Sequence, residues 1–224
     1  MSRVPFPDVT GRRLRAPSRT SFAGNGMASL GHASMNATNI TWKDLHEAAQ
    51  DFGVSPRAII SAAWGYVLYL YVMHECDNVA FDAVDADTCV AISFGPSLCR
   101  WEDPISMVQL SEKAWLSDRH VQIHGPVLFV SAPDQDTQSA LSLAESTLAR
   151  TNSSLSLVFI AHQAHTSTSS SSSHPVALTL LASPSVHIHG SAMTQLAQVE
   201  HVLHALVHRL DPTKSIPTEL MSLV

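Results

Sequence analysis

From Val54 to Val84 the sequence VSPRAIISAAWGYVLYLYVMHECDNVAFDAV passes from a nearly unbroken apolar run to an alternating one, with a short acidic turn between. Ser55 is placed to cap a helix, and Pro56 at its first position loses no hydrogen bond, because the first N–H groups of a helix have no partner inside it. The apolar run Ala58 to Met73 is bounded by Arg57 and His74. It is shorter than the ~20 residues that cross a bilayer, so the pattern predicts a core helix over 55–74 rather than a membrane span. Asp77-Asn78 makes the turn. Val79, Phe81 and Ala83 then share one face of a strand at 78–84, with Ala80 and Asp82 on the other.

The same reading extends along the chain. Thr41 with Asp44 forms a helix start, and Trp42, Leu45 and Ala49 face a core until Gly53 ends the helix. A second strand is expected near 88–94. A helix then begins at Asp103-Pro104 and carries Met107, Val108, Leu110, Ala114 and Trp115. Pro126 to Val130 reads as an apolar strand, Ser139–Arg150 as a helix, and Ser154–Ala161 as a strand whose continuous apolar character suits a buried, central position. A closing helix over 191–210 gathers Leu196, Val199, Leu203, Leu206 and Leu210 on one side. The first ~40 residues, rich in Gly, Ser, Pro and Asn, read as a poorly packed lead-in, so organised structure is expected from Thr41 onward. The run TSTSSSSS at 166–173 buries too little to offset its ordering entropy, and it is expected to be a disordered loop between two strands.

Composition narrows the class. With 224 residues, 45% hydrophobic and 14% charged, the chain can bury a sizeable core and fits one domain with flexible segments. The net charge of −6 argues against nucleic acid as a partner. Only the N-terminus is basic: Arg3, Arg12, Arg13, Arg15 and Arg19 make up five of the 13 Lys and Arg. An Arg-rich, acid-poor start has the composition of a transit peptide, but its prolines and lack of an apolar face favour an extended lead-in. Cys76, Cys89 and Cys99 are odd in number, lack metal-ligand spacing and follow no signal peptide, so reduced cytosolic thiols are expected.

The 13 histidines are the main candidates for chemistry. His187 and His189 share a strand face, and His-x-His is a spacing that zinc sites use. On the closing helix, however, His201, His204 and His208 fall opposite the apolar stripe and away from that strand, so the five are not expected to form one site. His162 and His165, with Ser153 or Ser154, invite an acyl-transfer reading in which nothing supplies a third member. Asp82, Asp85 and Asp87 form an acidic group at a strand end that reads as a solvated turn rather than a cation site. Phosphate loops, CxxC pairs and dinucleotide fingerprints are absent from the sequence.

Two stretches resemble the C-terminal lobe of condensation domains from nonribosomal peptide synthetases. The first is Gly53-Val54-Ser55, Ala62-Ala63-Trp64-Gly65-Tyr66-Val67-Leu68, Tyr71 and Val79-Ala80-Phe81. The second is His174-Pro175-Val176-Ala177-Leu178-Thr179-Leu180, which resembles a family strand and implies a further strand over 185–189 before the closing helix over 191–210, and the tail Ile216-Pro217 to Val224 resembles the segment leading into an adenylation domain. The resemblance runs from about residue 53 to the end, with a weakly matched middle. It implies an α/β lobe of the condensation and chloramphenicol-acetyltransferase-like fold, with a mixed sheet covered mainly by the helices at 55–74 and 191–210. The family's reaction depends on an HHxxxDG motif in the other lobe. This chain has no His-His pair, and the family's DFGWG loop is absent too.

The resemblance therefore points to a shortened, half-condensation domain, as found ahead of the adenylation domain in some fungal peptide synthetases and aminoadipate-reductase-like enzymes. Residues 1–40 would be its lead-in, 41–215 the lobe and 216–224 a linker. Its implied role is structural, packing against an adenylation domain and orienting it toward a phosphopantetheinylated carrier protein. Trp64, Val67, Leu68 and Tyr71 would serve the core, and the tail would meet the neighbouring domain. No catalytic, cofactor-binding or metal residue is assigned, and no cofactor or membrane is expected. Two alternatives stay open: half of a split acyltransferase that forms amide bonds once an HHxxxDG lobe is supplied, and a stand-alone binding module.

Overall fold

The computed structural model describes residues 31–72, 77–85, 88–95, 98–100, 103–117, 127–130, 142, 157–163, 174–182 and 192–211. In chain order these form β1 (Gly31–Thr41), α1 (Trp42–Phe52), α2 (Pro56–Val72), β2 (Val79–Asp85), β3 (Thr88–Phe94), α3 (Pro104–Trp115), β4 (Val127–Val130), β5 (Leu157–Gln163), β6 (Pro175–Ala182) and α4 (Ala192–Val207).

The helix boundaries follow from local chemistry. Thr41 caps α1 in a reciprocal box with Asp44: the Asp44 N–H donates to Thr41 Oγ1, and Asp44 Oδ2 accepts from the Thr41 N–H at 2.8 Å. At the other end Gly53 adopts a left-handed conformation, φ 67°. Its N–H reaches the Gln50 carbonyl and that of Val54 reaches Ala49, the paired bonds that close a helix end. Gly53→Ala is expected to lower stability by about 1 kcal/mol, because a Cβ is disfavoured at that φ. Open space surrounds the site, so a urea titration would read the backbone effect alone. Asp103 caps α3, accepting from the Ile105 N–H at 3.1 Å with Pro104 in the first turn.

The six strands form one mixed sheet in the order β1-β6-β5-β4-β2-β3. β2, β4 and β5 run parallel at its centre, while β3 at one edge and β6 with β1 at the other pair antiparallel. One face carries Val79, Phe81 and Ala83 of β2, Val90, Ile92 and Phe94 of β3, Leu128 and Val130 of β4, and Val176, Leu178 and Leu180 of β6. All of these join the core cluster with the inner residues of the helices. α2 lies over β2, β3 and β4 between α3 and α4, and α4 covers β1 and β6. This central position explains why α2 is apolar all round: every residue from Ala58 to Leu68 is buried.

β1 departs from the sequence reading, which assigned everything before Thr41 to a loosely packed lead-in. Gly31 to Asn36 pair with Ala182 to Ala177 of β6. Where this strand pairs with β6 its inward positions are small or flexible, Ala33 and Met35, and the fully buried Ala37 and Ile40 come only at its irregular end, so its alternation is faint and its order comes from β6 and α4 rather than from itself. β4 and β5 occupy the interior positions expected of apolar strands. The expected helix at 139–150, apart from Ser142, the loop at 166–173, the strand at 185–189 and the tail at 216–224 lie outside the described residues. α4 ends at Val207, short of the expected 210.

Candidate functional site

Three features of the described fold bear on function: the second face of the sheet, a polar group where α2 meets α3, and the side of α4 away from the core. On the second face, register places Asp82 and Val84 of β2 beside Val127 and Phe129 of β4, with Ala177, Thr179 and Leu181 on β6. All seven are buried. The apolar five lie outside the cluster that contains the helices' side chains, so this face is a separate packing surface. Its polar members are Asp82 and Thr179, the latter hydrogen-bonded through its hydroxyl to Ser34 at 2.8 Å.

The polar group lies at the start of α2. Glu112 of α3 reaches over to accept from both the N–H and the hydroxyl of Ser55, so the carboxylate of one helix occupies the N-terminus of the other. Arg57 pairs with Asp85 at the end of β2 at 3.0 Å, and its guanidinium lies 4.6 Å from the centre of the Trp115 ring. Trp115 Nε1 donates to Ser61 Oγ. These contacts fasten α2 to α3 and to β2, which makes the group a packing device.

On α4, Glu200 is buried although acidic. A single oxygen, Oε1, accepts from the Thr38 N–H, the Thr38 hydroxyl and the Asn39 N–H, where the β1–β6 register shifts between Asn36 and Thr41. The carboxylate thus satisfies strand amides that the irregular pairing leaves without a ladder partner. Nothing in the sequence marks this residue, because the partner segment is about 160 positions away.

The predicted candidates separate as follows. Trp64, Val67 and Leu68 are buried core residues. The side chain of Tyr71 lies outside the described residues, as do His187, His189, His165, Ser153, Ser154 and Asp87. His162 falls on β5 opposite Ala177, and its side chain is likewise not described. Asp82 and Asp85 do not form the expected solvated acidic group. They stand three residues apart on a strand, hence on opposite faces; Asp82 is buried and Asp85 is held by Arg57.

His201, His204 and His208 fall on the side of α4 away from the sheet, the first two half-buried and the third exposed. The rings of His204 and His208 stand 4.4 Å apart, centre to centre. Burial, then the neighbouring His208 and His201, hold the His204 pKa below the ordinary histidine value, with Glu200 acting the other way. No group of three or more metal-ligating side chains comes together among the described residues. Burial pushes up the pKa of the Cys99 thiol, with the Gly95 backbone acting the other way to a smaller extent. No described helix is long and apolar enough to cross a membrane.

No family model matches the sequence, and no curated protein does. Solved structures do match. The condensation domain of the monacolin K polyketide synthase MokA aligns over 94% of this chain and 54% of its own, at 9% identity and a TM-score of 0.58. The chain has the condensation-domain fold. Two further structures with this fold align over 80% of the chain at 12% identity. They are the EpoB cyclization-docking bidomain from Sorangium cellulosum, at a TM-score of 0.57 over 41% of its length, and the X-domain in its complex with OxyB from teicoplanin biosynthesis, at 0.55 over 46%. The chain therefore spans about half the length of the condensation-fold structures it matches, which is the extent of one lobe and agrees with the resemblance to the C-terminal lobe.

Proposed function

We propose that this chain is a non-catalytic condensation-like lobe that acts as an interdomain packing module of a nonribosomal peptide synthetase or an adenylate-forming reductase. The observation that carries this reading is the half-length match to the condensation fold by a sequence without an HHxxxDG motif. Its polar side chains add support: Ser55, Ser61, Arg57, Asp85, Glu112 and Glu200 are committed to holding elements together. The X-domain, to which this fold is similar, forms a complex with another protein, OxyB, and so supports a role in protein contact. An adenylation domain and its carrier protein are the partners this chain would meet.

The split-acyltransferase alternative calls for an open apolar sheet face to receive a second lobe. Among the described residues, the large apolar side chains of the second face, Val84, Val127, Phe129 and Leu181, are buried. The exposed large ones are Ile105 and Met193 on α3 and α4 and Leu98, Leu116 and Leu210 in the turns beside those helices, none of them on the sheet. The packing role is therefore preferred.

Calorimetric titration of this chain against the adjoining adenylation domain, with Ile216–Val224 deleted as the control, tests the reading. Tail-dependent binding with a Kd of about 10 μM or tighter, a ΔG of about −7 kcal/mol, is expected without acyl transfer. Absence of binding, together with turnover on adding an HHxxxDG lobe, would overturn it.

A further inference from the structure

The last turns of α4 carry an arrangement that neither the core nor the packing role uses. His204 lies in the last turn of α4 and His208 is the residue just after it, its N–H still bonded to the His204 carbonyl at 3.1 Å, so their side chains rise from the same strip of surface one turn apart. Their ring centres are 4.4 Å apart and their planes are inclined at 58°. A cation bound to one nitrogen of each ring at about 2.1 Å would sit roughly 3.2 Å from either ring centre. Two such rings at a right angle about the cation have centres about 4.5 Å apart, whereas a tetrahedral angle needs about 5.2 Å. The observed spacing fits the right angle, the adjacent-ligand geometry of octahedral or square-planar sites.

Among the described residues the surroundings leave this pair open. Arg209, the nearest cation along the chain, is turned toward α1, its guanidinium 4.9 Å from the Phe52 ring centre and 3.7 Å from Asp51 Oδ2. That direction is set by the backbone: Arg209 has φ 55°, and the bonds from Leu210 N–H to the Ala205 carbonyl and from Arg209 N–H to Leu206 close the helix there. Glu200, one turn before His204, is occupied with Thr38 and Asn39. His208 is exposed, so the open side of the pair faces solvent.

We propose that His204 and His208 form a two-histidine site for a divalent transition cation of the nickel or copper type, with water in the remaining positions. It departs from the sequence reading, in which these histidines were not ligands. Binding would link two successive turns at the end of α4, and because that spacing exists only when the helix is formed, the cation would favour the folded chain.

The test is titration of the full chain, carrying no polyhistidine tag, with Ni2+ and separately with Cu2+, read by calorimetry and by thermal unfolding. The unaltered chain should bind and its Tm should rise. His208→Gln should weaken binding at least tenfold and abolish the rise, while its Tm without metal stays close to that of the parent, since the residue is exposed at the helix end. His201→Gln should bind as the parent does. Two results would overturn the proposal: affinity in His208→Gln within twofold of the parent, which places the cation at another of the 13 histidines, and a chain that binds neither ion, which makes the ring spacing an ordinary edge contact.

Discussion

Alanine at Gly65 is expected to lower stability by about 2 kcal/mol, and leucine there to prevent folding altogether. A Cβ at Gly65 would lie 2.6 Å from Cε2 of Phe94 and closer still to Cδ2, well inside contact distance. The ring cannot readily give way: Phe94 is fully buried and stacks on Phe81, with ring centres 6.2 Å apart and planes 2° from parallel. Overpacking of this kind costs about 1–3 kcal/mol or more, and the ~1 kcal/mol that alanine gains over glycine in a helix offsets only part of it. Urea unfolding followed by tryptophan fluorescence gives the magnitude. A double-mutant cycle with Phe94→Leu assigns the cause, because the pair should be at least about 1 kcal/mol less destabilised than the sum of the single changes. A neutral Gly65→Ala would show that α2 does not need this close approach.

Loss of the Glu200 carboxylate is the second large effect. Glu200→Ala strips partners from two strand amides and a hydroxyl, and at about 1–3 kcal/mol for each group left unsatisfied the expected loss is about 3 kcal/mol. Glu200→Gln keeps an acceptor oxygen but not the charge, so it should lose about half as much. The effect has an address. Amide hydrogen exchange should accelerate at Thr38 and Asn39 and along β1, while α2 and the β2–β3 hairpin keep their protection. Unchanged exchange at Thr38 and Asn39 in Glu200→Ala would show that the clamp does not hold β1.

How much of this was readable in advance varies by residue. Thr41, Asp44 and Gly53 announced α1 because a cap acts within three or four residues of itself. Ser55-Pro56 and Asp103-Pro104 did the same for α2 and α3, and Asp77-Asn78 set the turn into β2, whose Val79, Phe81 and Ala83 lie on the core face. The inner stripe of α4 was legible in Leu196, Val199, Leu203 and Leu206, all buried. Leu210 was read with them and is exposed, since the helix closes at Val207 and Arg209 turns the chain aside.

What escaped the sequence depends on distant partners. β1 is held by β6 and α4, roughly 140 to 170 positions on, and its own faint alternation looks like a loop. Asp82 belongs to an acidic run in one dimension and to a buried sheet face in three. The absence of HHxxxDG was plain at once and still bears most on the proposed role, although the half-length match to condensation-fold structures needed the fold itself.

By itself the sequence determined the helices α1 to α4, the strands β2 and β3 and the resemblance to a condensation lobe, because caps, turns and periodicity are short-range and written in adjacent residues. The tertiary structure alone decided the strand order, the incorporation of β1, the burial of Glu200 and Asp82 and the close approach at Gly65. Each of these depends on which surfaces meet or on the distances between side chains once they have met, and spacing along the chain does not encode either.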